Sequence, residues 1–313
     1  MFSVSKTEYG IFIRKESGDR MKKKKVYPWW FLIIPLVFYV CFFLLPSLLG
    51  VGFSFTDWSS RSAVDGTHFV GLQNYIEIFT SDENYAAGIG HTLMFTVISN
   101  IVKLIPALLL AVMLQEGLKG KGIYRTILYL PSILPFVIIG IIFRSIFNFD
   151  HGLLNMILEG LHLEFLQQKW LSDLNVVWKS IFAVDAWRGI GYCMTIFLAG
   201  LQTIPKSLYE AAEIDGANFW QRLRYVTLPM ISGAIMINLV FGITYGLKAF
   251  DIVYVLTNGG PGHATELLTT YSFQMYSTGN YGMSTAMNAI LLFITAVIGI
   301  IIVKVMSKKE VQQ

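Results

Sequence analysis

Apolar residues in this chain gather into six long stretches separated by polar segments. The stretches run from about Trp30 to Phe53, Thr92 to Leu114, Thr126 to Phe147, Trp178 to Leu201, Met230 to Phe250 and Met283 to Val305. Each exceeds the roughly 18 residues that mark a bilayer-crossing helix. A helix is the open-chain element that satisfies its own backbone in lipid. The pattern therefore predicts an all-α polytopic membrane protein with six transmembrane helices. The first stretch follows Lys22–Lys25 and so mimics a signal peptide. Its length, its two prolines (Pro35 and Pro46) and the lack of a small-x-small cleavage site predict an uncleaved helix. Met21 precedes four lysines and is an alternative start to Met1; were it the start, residues 1–20 would be an upstream extension.

Composition agrees with the pattern. The 313 residues are 54% hydrophobic and only 14% charged, and the mean hydropathy is +0.57, outside the range of an ordinary soluble domain. Both cysteines, Cys41 and Cys193, fall inside expected spans, where they read as apolar packing residues rather than a disulfide or metal framework. No metal site is expected. A modest net charge of +4 gives no reason to expect nucleic acid as a partner.

The placement of charge says more than its sum. Seventeen lysines and arginines precede the first stretch, lie at or beyond the end of the last (Lys304, Lys308 and Lys309), or lie in the second and fourth connections, whereas the opposite three loops hold only Arg61 and Lys169. This asymmetry predicts that both termini are cytoplasmic. The three opposite loops are each about 30 residues long and carry amphipathic pieces such as Tyr75–Phe79 and Leu153–Leu158. Loops of that length carry a function or short helices, and two readings stand: helices lying at the headgroups, and docking of an extracellular partner.

One cytoplasmic connection is a polar island, from Pro205 to Pro229. Pro205 suits the first turn of a helix, and Gly216 suits its left-handed end. Phe219–Leu223 then predicts a second short helix, giving a hairpin parallel to the membrane. Glu210–Ala211–Ala212, Gly216, Val226 and Leu228–Pro229 closely resemble the EAA loop of permeases of ATP-binding cassette (ABC) importers. A plain amphipathic connector is the alternative, but five elements keep the family spacing. The likeness extends to Asp185–Gly191 and Leu198–Gln202, to Phe250–Pro261, and to Phe69–Tyr75. Together these resemble the carbohydrate permeases of the maltose and glycerol-phosphate branch. Val226 stands where isoleucine is more usual.

The resemblance implies a type I ABC importer permease fold in a bacterial cytoplasmic membrane. Its divisions would be a basic segment at 1–27, a first helix and outer loop at 28–87, a transmembrane type-1 domain at 88–305 and a tail at 306–313. It also implies a second permease subunit, two ATPase subunits that bind ATP and Mg, and an extracellular or periplasmic solute-binding protein. No cofactor is expected in this chain, because no Gly-x-x-x-x-Gly-Lys-Ser/Thr motif occurs. The coupling set is Glu210, Ala211, Ala212, Glu213, Asp215, Gly216, Leu228 and Pro229, with Glu210 and Glu213 offering carboxylates to the ATPase and Leu208 and Tyr209 acting as apolar anchors.

Charges inside spans are costly and mark function by default. Lys103, Arg144, Asp185, Arg188 and Lys248 qualify. Asp185 and Arg188 lie three apart and read as a structural pair, Arg144 and Lys248 can snorkel from outer ends, and Lys103 is the best pathway candidate. Sugars are held by hydrogen bonds and aromatic stacking, so Asn100, Lys103, Tyr192, Asn238, Tyr245 and Asn288 are candidate liners, each alternatively inter-helix glue. A secondary transporter would show more spans and inverted repeats. A membrane enzyme would need clustered catalytic groups, which the five histidines, all on or near the outer side, do not supply. A permease for amino acids, metals or glycerol phosphate is the nearer rival to a sugar importer.

Overall fold

The computed structural model describes residues 30–80, 83–115 and 120–310. The basic N-terminal segment, with its two alternative starts, lies outside them, as do Lys119 and residues 311–313. The described residues are helices and turns, apart from one isolated antiparallel bridge between Thr56 and Phe69.

Two compact units divide at Leu48. Of the first, residues 30–48 are described, and they form most of helix α1, Trp30–Phe53. A π-helical turn at Val40–Leu44 sends the Leu45 N–H back to the Val40 carbonyl, immediately before Pro46. Because proline has no N–H to place in the ladder, the change of register there sacrifices no donor.

The second unit holds α2 (Gln73–Thr80), α3 (Glu83–Gln115), α4 (Lys121–Ile133), α5 (Phe136–Ile146), α6 (Leu153–Gly160) and α7 (Val177–Leu201). It continues with α8 (Lys206–Ile214), α9 (Phe219–Met230), α10 (Ser232–Leu247), α11 (Asp251–Leu256), α12 (Leu268–Ser277) and α13 (Tyr281–Glu310). Helices α1, α3, α7 and α13 are each long and apolar enough to cross a membrane. The pairs α4–α5 and α9–α10 are bent by 97° and 73°, and counting each pair as one crossing gives six.

The third expected span, Thr126 to Phe147, is therefore corrected from one helix to two. Leu134 takes an extended backbone (ψ 135°) and Pro135 does the same (ψ 139°). Proline clashes with a helical residue before it and cannot donate, so the chain leaves the helix at Leu134 and restarts at Phe136. The fifth expected span is shorter than its apolar run, with the bend at Ile231 below it and the end at Leu247 above.

Helix α3 packs along α7 and α10, α4 packs on α7, α5 on α11, and α12 on α13. The contacts are close because small residues face one another. A Cβ added at Gly191 would strike the Leu128 carbonyl of α4, and one at Gly246 would lie 2.6 Å from the Thr96 backbone of α3. One buried cluster gathers around Phe95, Ile181 and Val253, and another around Ala107, Met194 and Leu201. Between them, along α3 and α7, lies the polar layer.

Candidate functional site

Two places concentrate polar chemistry, and the first is the hairpin of α8 and α9. Helix α8 ends in a Schellman motif: the Gly216 N–H donates to the Glu213 carbonyl at 3.0 Å, and the Ala217 N–H donates to the Ala212 carbonyl at 2.9 Å. Gly216 sits at φ +71°, a conformation in which a β-carbon is strained. Asn218 and Gln221 then form a reciprocal capping box that starts α9. Across the turn, Arg222 pairs with Glu213 at 2.5 Å. Tyr209 turns inward, where its hydroxyl meets Thr227 Oγ1 at 3.0 Å and its ring packs on the Met194 and Leu201 cluster.

Glu210, Ala211, Glu213, Asp215, Gly216 and Pro229 are exposed, while Ala212 and Leu228 are half-buried. Two expectations change. Glu213 is already held by Arg222, which leaves Glu210 and Asp215 as carboxylates without an ion pair among the described residues. Tyr209 is a packing residue rather than an outward anchor. The outward apolar groups are Leu208, Ile214 (87% exposed), Trp220 and Tyr225, of which the sequence reading assigned only Leu208. Their signal was present, since large apolar residues on a polar hairpin need a partner surface. Behind the hairpin, at the C-terminal ends of α3 and α7, is a cavity of about 440 Å³ lined by Val112, Gln115, Ile204, Tyr209, Glu213 and Arg222 among others.

The second place is a cavity of about 420 Å³ between α3, α4, α7 and α10. Asn100, Lys103, Tyr192, Asn238 and Tyr245 all line it, together with Tyr129, Ser132, Asp185, Arg188, Gly189, Cys193, Phe241 and Gly242. Asn288 does not. Its amide donates to Ser272 Oγ at 2.5 Å and to the Ser284 carbonyl at 3.0 Å, which ties α13 to α12.

The expected pair of Asp185 with Arg188 is also corrected. Asp185 Oδ2 accepts from Ser99 Oγ at 2.5 Å and faces Lys103 Nζ at 3.0 Å, while its Oδ1 accepts from the Tyr245 hydroxyl at 2.7 Å. Lys103 reaches Asp185 across the bare face of Gly189, where a β-carbon would collide with its Cδ. Arg188 instead lies over the Phe136 ring, 3.7 Å from its centroid. Two side-chain acceptors in the cavity, Asn100 Oδ1 and Asn238 Oδ1, are buried with no hydrogen-bond partner, although the amide nitrogens of both residues are engaged. Buried acceptors left unpaired are costly. Both residues line the cavity, but these two oxygens are turned away from its open space, Asn100 Oδ1 against Gly242.

At the opposite end of α3 from the hairpin, the segment before α12 folds over the helix bundle. Glu266 is buried there, its carboxylate accepts from the Thr270 hydroxyl, and His263 Nδ1 lies 3.7 Å away. Burial pushes its carboxyl above the ordinary range, against the opposing pull of the Thr270 hydrogen bond and His263. The His91 ring sits 3.0 Å from the Glu266 carbonyl.

These features can be set beside known proteins. Residues 105–310 match the family described as "Binding-protein-dependent transport system inner membrane component". The multiple sugar-binding transport system permease protein MsmF of Streptococcus mutans is 32% identical over 92% of this chain and 97% of its own length. The trehalose/maltose transport system permease protein MalF of Thermococcus litoralis is 31% identical over 92% of this chain and 96% of its own. A chain of a bacterial alginate ABC transporter, crystallised in complex with an alginate pentasaccharide-bound periplasmic protein, shares the fold with a TM-score of 0.75 at 22% identity, over 87% of this chain and 91% of that one. A membrane protein of six crossings that matches a family profile over residues 105–310, and its relatives over nearly their whole length, belongs to the inner membrane components of binding-protein-dependent transport systems, the permease subunits of ABC importers.

Proposed function

We propose that this chain forms half of the pathway of an ATP-driven importer of sugars, with oligosaccharides as the substrate class. The observation that carries the reading is the cavity between α3, α4, α7 and α10. It is lined by the polar side chains of Asn100, Ser132, Asn238 and Tyr245, and it presents the Tyr192 and Phe241 rings. A polyhydroxylated ring supplies donors for the first and an apolar face for the second. The sugars named for two of its relatives support the same class.

The α8–α9 hairpin is the seat of a separate ATPase. Leu208, Ile214, Trp220 and Tyr225 form the contact face, and Glu210 and Asp215 border it. Closure of two ATPases on ATP and Mg displaces the hairpin, and α7 and α10, which flank it in sequence, carry that displacement to the cavity. Lysine and arginine placement supports a cytoplasmic position for the hairpin and both termini. Residues 28–87 act as an added helix and outer loop, residues 88–305 as the type-1 transmembrane domain, and residues 306–313 as the tail. A second permease completes the pathway, and an extracellular or periplasmic solute-binding protein delivers the sugar.

Co-purification from the native membrane, followed by mass spectrometry, tests the assembly. Recovery of an ATPase, a second permease and a binding protein is the expected result. Recovery of the chain alone, under conditions that preserve other importers of the same cell, overturns it.

A further inference from the structure

Three side chains of charged type line the cavity: Lys103, Asp185 and Arg188. Asp185 is fully engaged by Lys103, Ser99 and Tyr245, so it and Lys103 neutralise each other within the protein. Arg188 remains. Among the described residues no carboxylate lies within ion-pair distance of it, and its Nε is buried without a hydrogen-bond partner. Its one charge-stabilising contact is the face of Phe136, which leaves the in-plane N–H donors of the guanidinium free. The cavity thus has one unit of positive charge in excess, held between low-dielectric walls that strengthen its field.

An unpaired cation at this depth is expensive to keep, and a planar guanidinium fork matches carboxylate and phosphate oxygens. We infer that the cavity takes an anionic sugar, carrying a carboxylate or a phosphate group, and that Arg188 holds the charge. This inference rests on the cavity being the sugar pathway and narrows its substrate class.

Tyr192 supplies a reporter, because it lines the cavity, is partly exposed, and lies one turn beyond Arg188 on the same face of α7. In the complete importer, in proteoliposomes, the variant Cys41→Ser/Cys193→Ser/Tyr192→Cys is labelled with sulfonatoethyl and with trimethylammonioethyl methanethiosulfonate. Rates are normalised to those with a free thiol. The anionic reagent is expected to react roughly tenfold faster or more, the scale on which charged clefts concentrate counter-ions. Adding Arg188→Gln should abolish the preference. Equal rates with Arg188 present overturn the inference, since the charge is then met by another subunit.

Uptake of a library of neutral oligosaccharides, uronate oligosaccharides and sugar phosphates forms the second arm. Accumulation of an anionic member, reduced about tenfold by Arg188→Gln on the same scale, is expected, and the member accumulated distinguishes carboxylate from phosphate. Accumulation of neutral members only overturns the anionic class while leaving the sugar pathway intact. Accumulation of none overturns the sugar reading itself.

Discussion

The ion pair in the polar layer is a property of single residues that the sequence placed wrongly. Asp185 and Arg188 satisfy an i, i+3 spacing, which makes a pair within one helix the natural reading. The competing partner, Lys103, is 82 positions away by number and becomes available only because Gly189 clears a channel for its stem. Spacing along one helix cannot show an absent side chain acting on another helix. Lys103 and Asp185 are almost wholly buried, so removing one leaves the other uncompensated. Lys103→Met should destabilise the chain by about 3–5 kcal/mol, read as a lower unfolding midpoint of the purified complex, and the double variant Lys103→Met/Asp185→Leu should recover much of that loss. An additive double variant would show that the two do not form an energetic unit. Asn100, Lys103, Tyr192, Asn238 and Tyr245 converge because polar residues within an apolar run have few places to go except a shared interior. Asn288 obeyed the same rule but found its partners on α12.

At the scale of elements, the hairpin was legible because its end signals are local. Proline opens α8, glycine closes it, and asparagine with glutamine starts α9. A β-carbon at Gly216 meets no neighbour within 4 Å, so its cost is confined to the left-handed backbone. Gly216→Val should therefore loosen the turn by about 1–2 kcal/mol, leave membrane insertion intact, and uncouple ATP hydrolysis from uptake. Normal transport by this variant would remove the turn from the coupling route. The break at Leu134 was less legible, because hydropathy runs unchanged through it and outweighed the signal of Pro135. The π turns were not legible at all. They occur twice in one context, Val40–Leu44 before Pro46 and Leu223–Thr227 before Pro229, where the missing proline donor lets the ladder shift register.

The loop before α12 makes a prediction about pH. Because the buried Glu266 carboxyl is raised above its unfolded range, the folded loop favours the protonated form. Its contribution to stability is greatest below the unfolded carboxyl range and falls as pH rises through the raised value. Protection factors across 257–271, with the intrinsic base-catalysed rate divided out, should fall as pH rises above the ordinary carboxyl range, and Glu266→Gln should flatten that dependence. An unchanged slope in the variant would show that Glu266 does not carry the effect.

For the whole molecule, six crossings followed from hydropathy alone, since lipid permits few alternatives to a helix. What a single chain could not reveal is which apolar surface meets lipid and which meets another protein. The outward faces of α4, α5 and α13 are all apolar, with Ile127, Ile141 and Phe293 each exposed. Crosslinking from Tyr129→Cys, which lines the cavity near its exposed side, should trap the second permease subunit in the intact importer, and capture of lipid alone would place that opening in the bilayer.

The close approach at Gly191 also limits how the pathway can move. With the Leu128 carbonyl seated where a methyl group would have to lie, α4 and α7 are packed backbone against backbone along this stretch. The two therefore travel as one lever. Under the proposed coupling, a push at the hairpin would swing Tyr129 and Ser132 together with Asp185 and Arg188, and these four cavity walls would keep their spacing. Asp185 also binds Ser99 and Lys103 of α3 and Tyr245 of α10, so those two helices are tied to the same lever, and the spacing free to change is the one to surfaces outside this bundle.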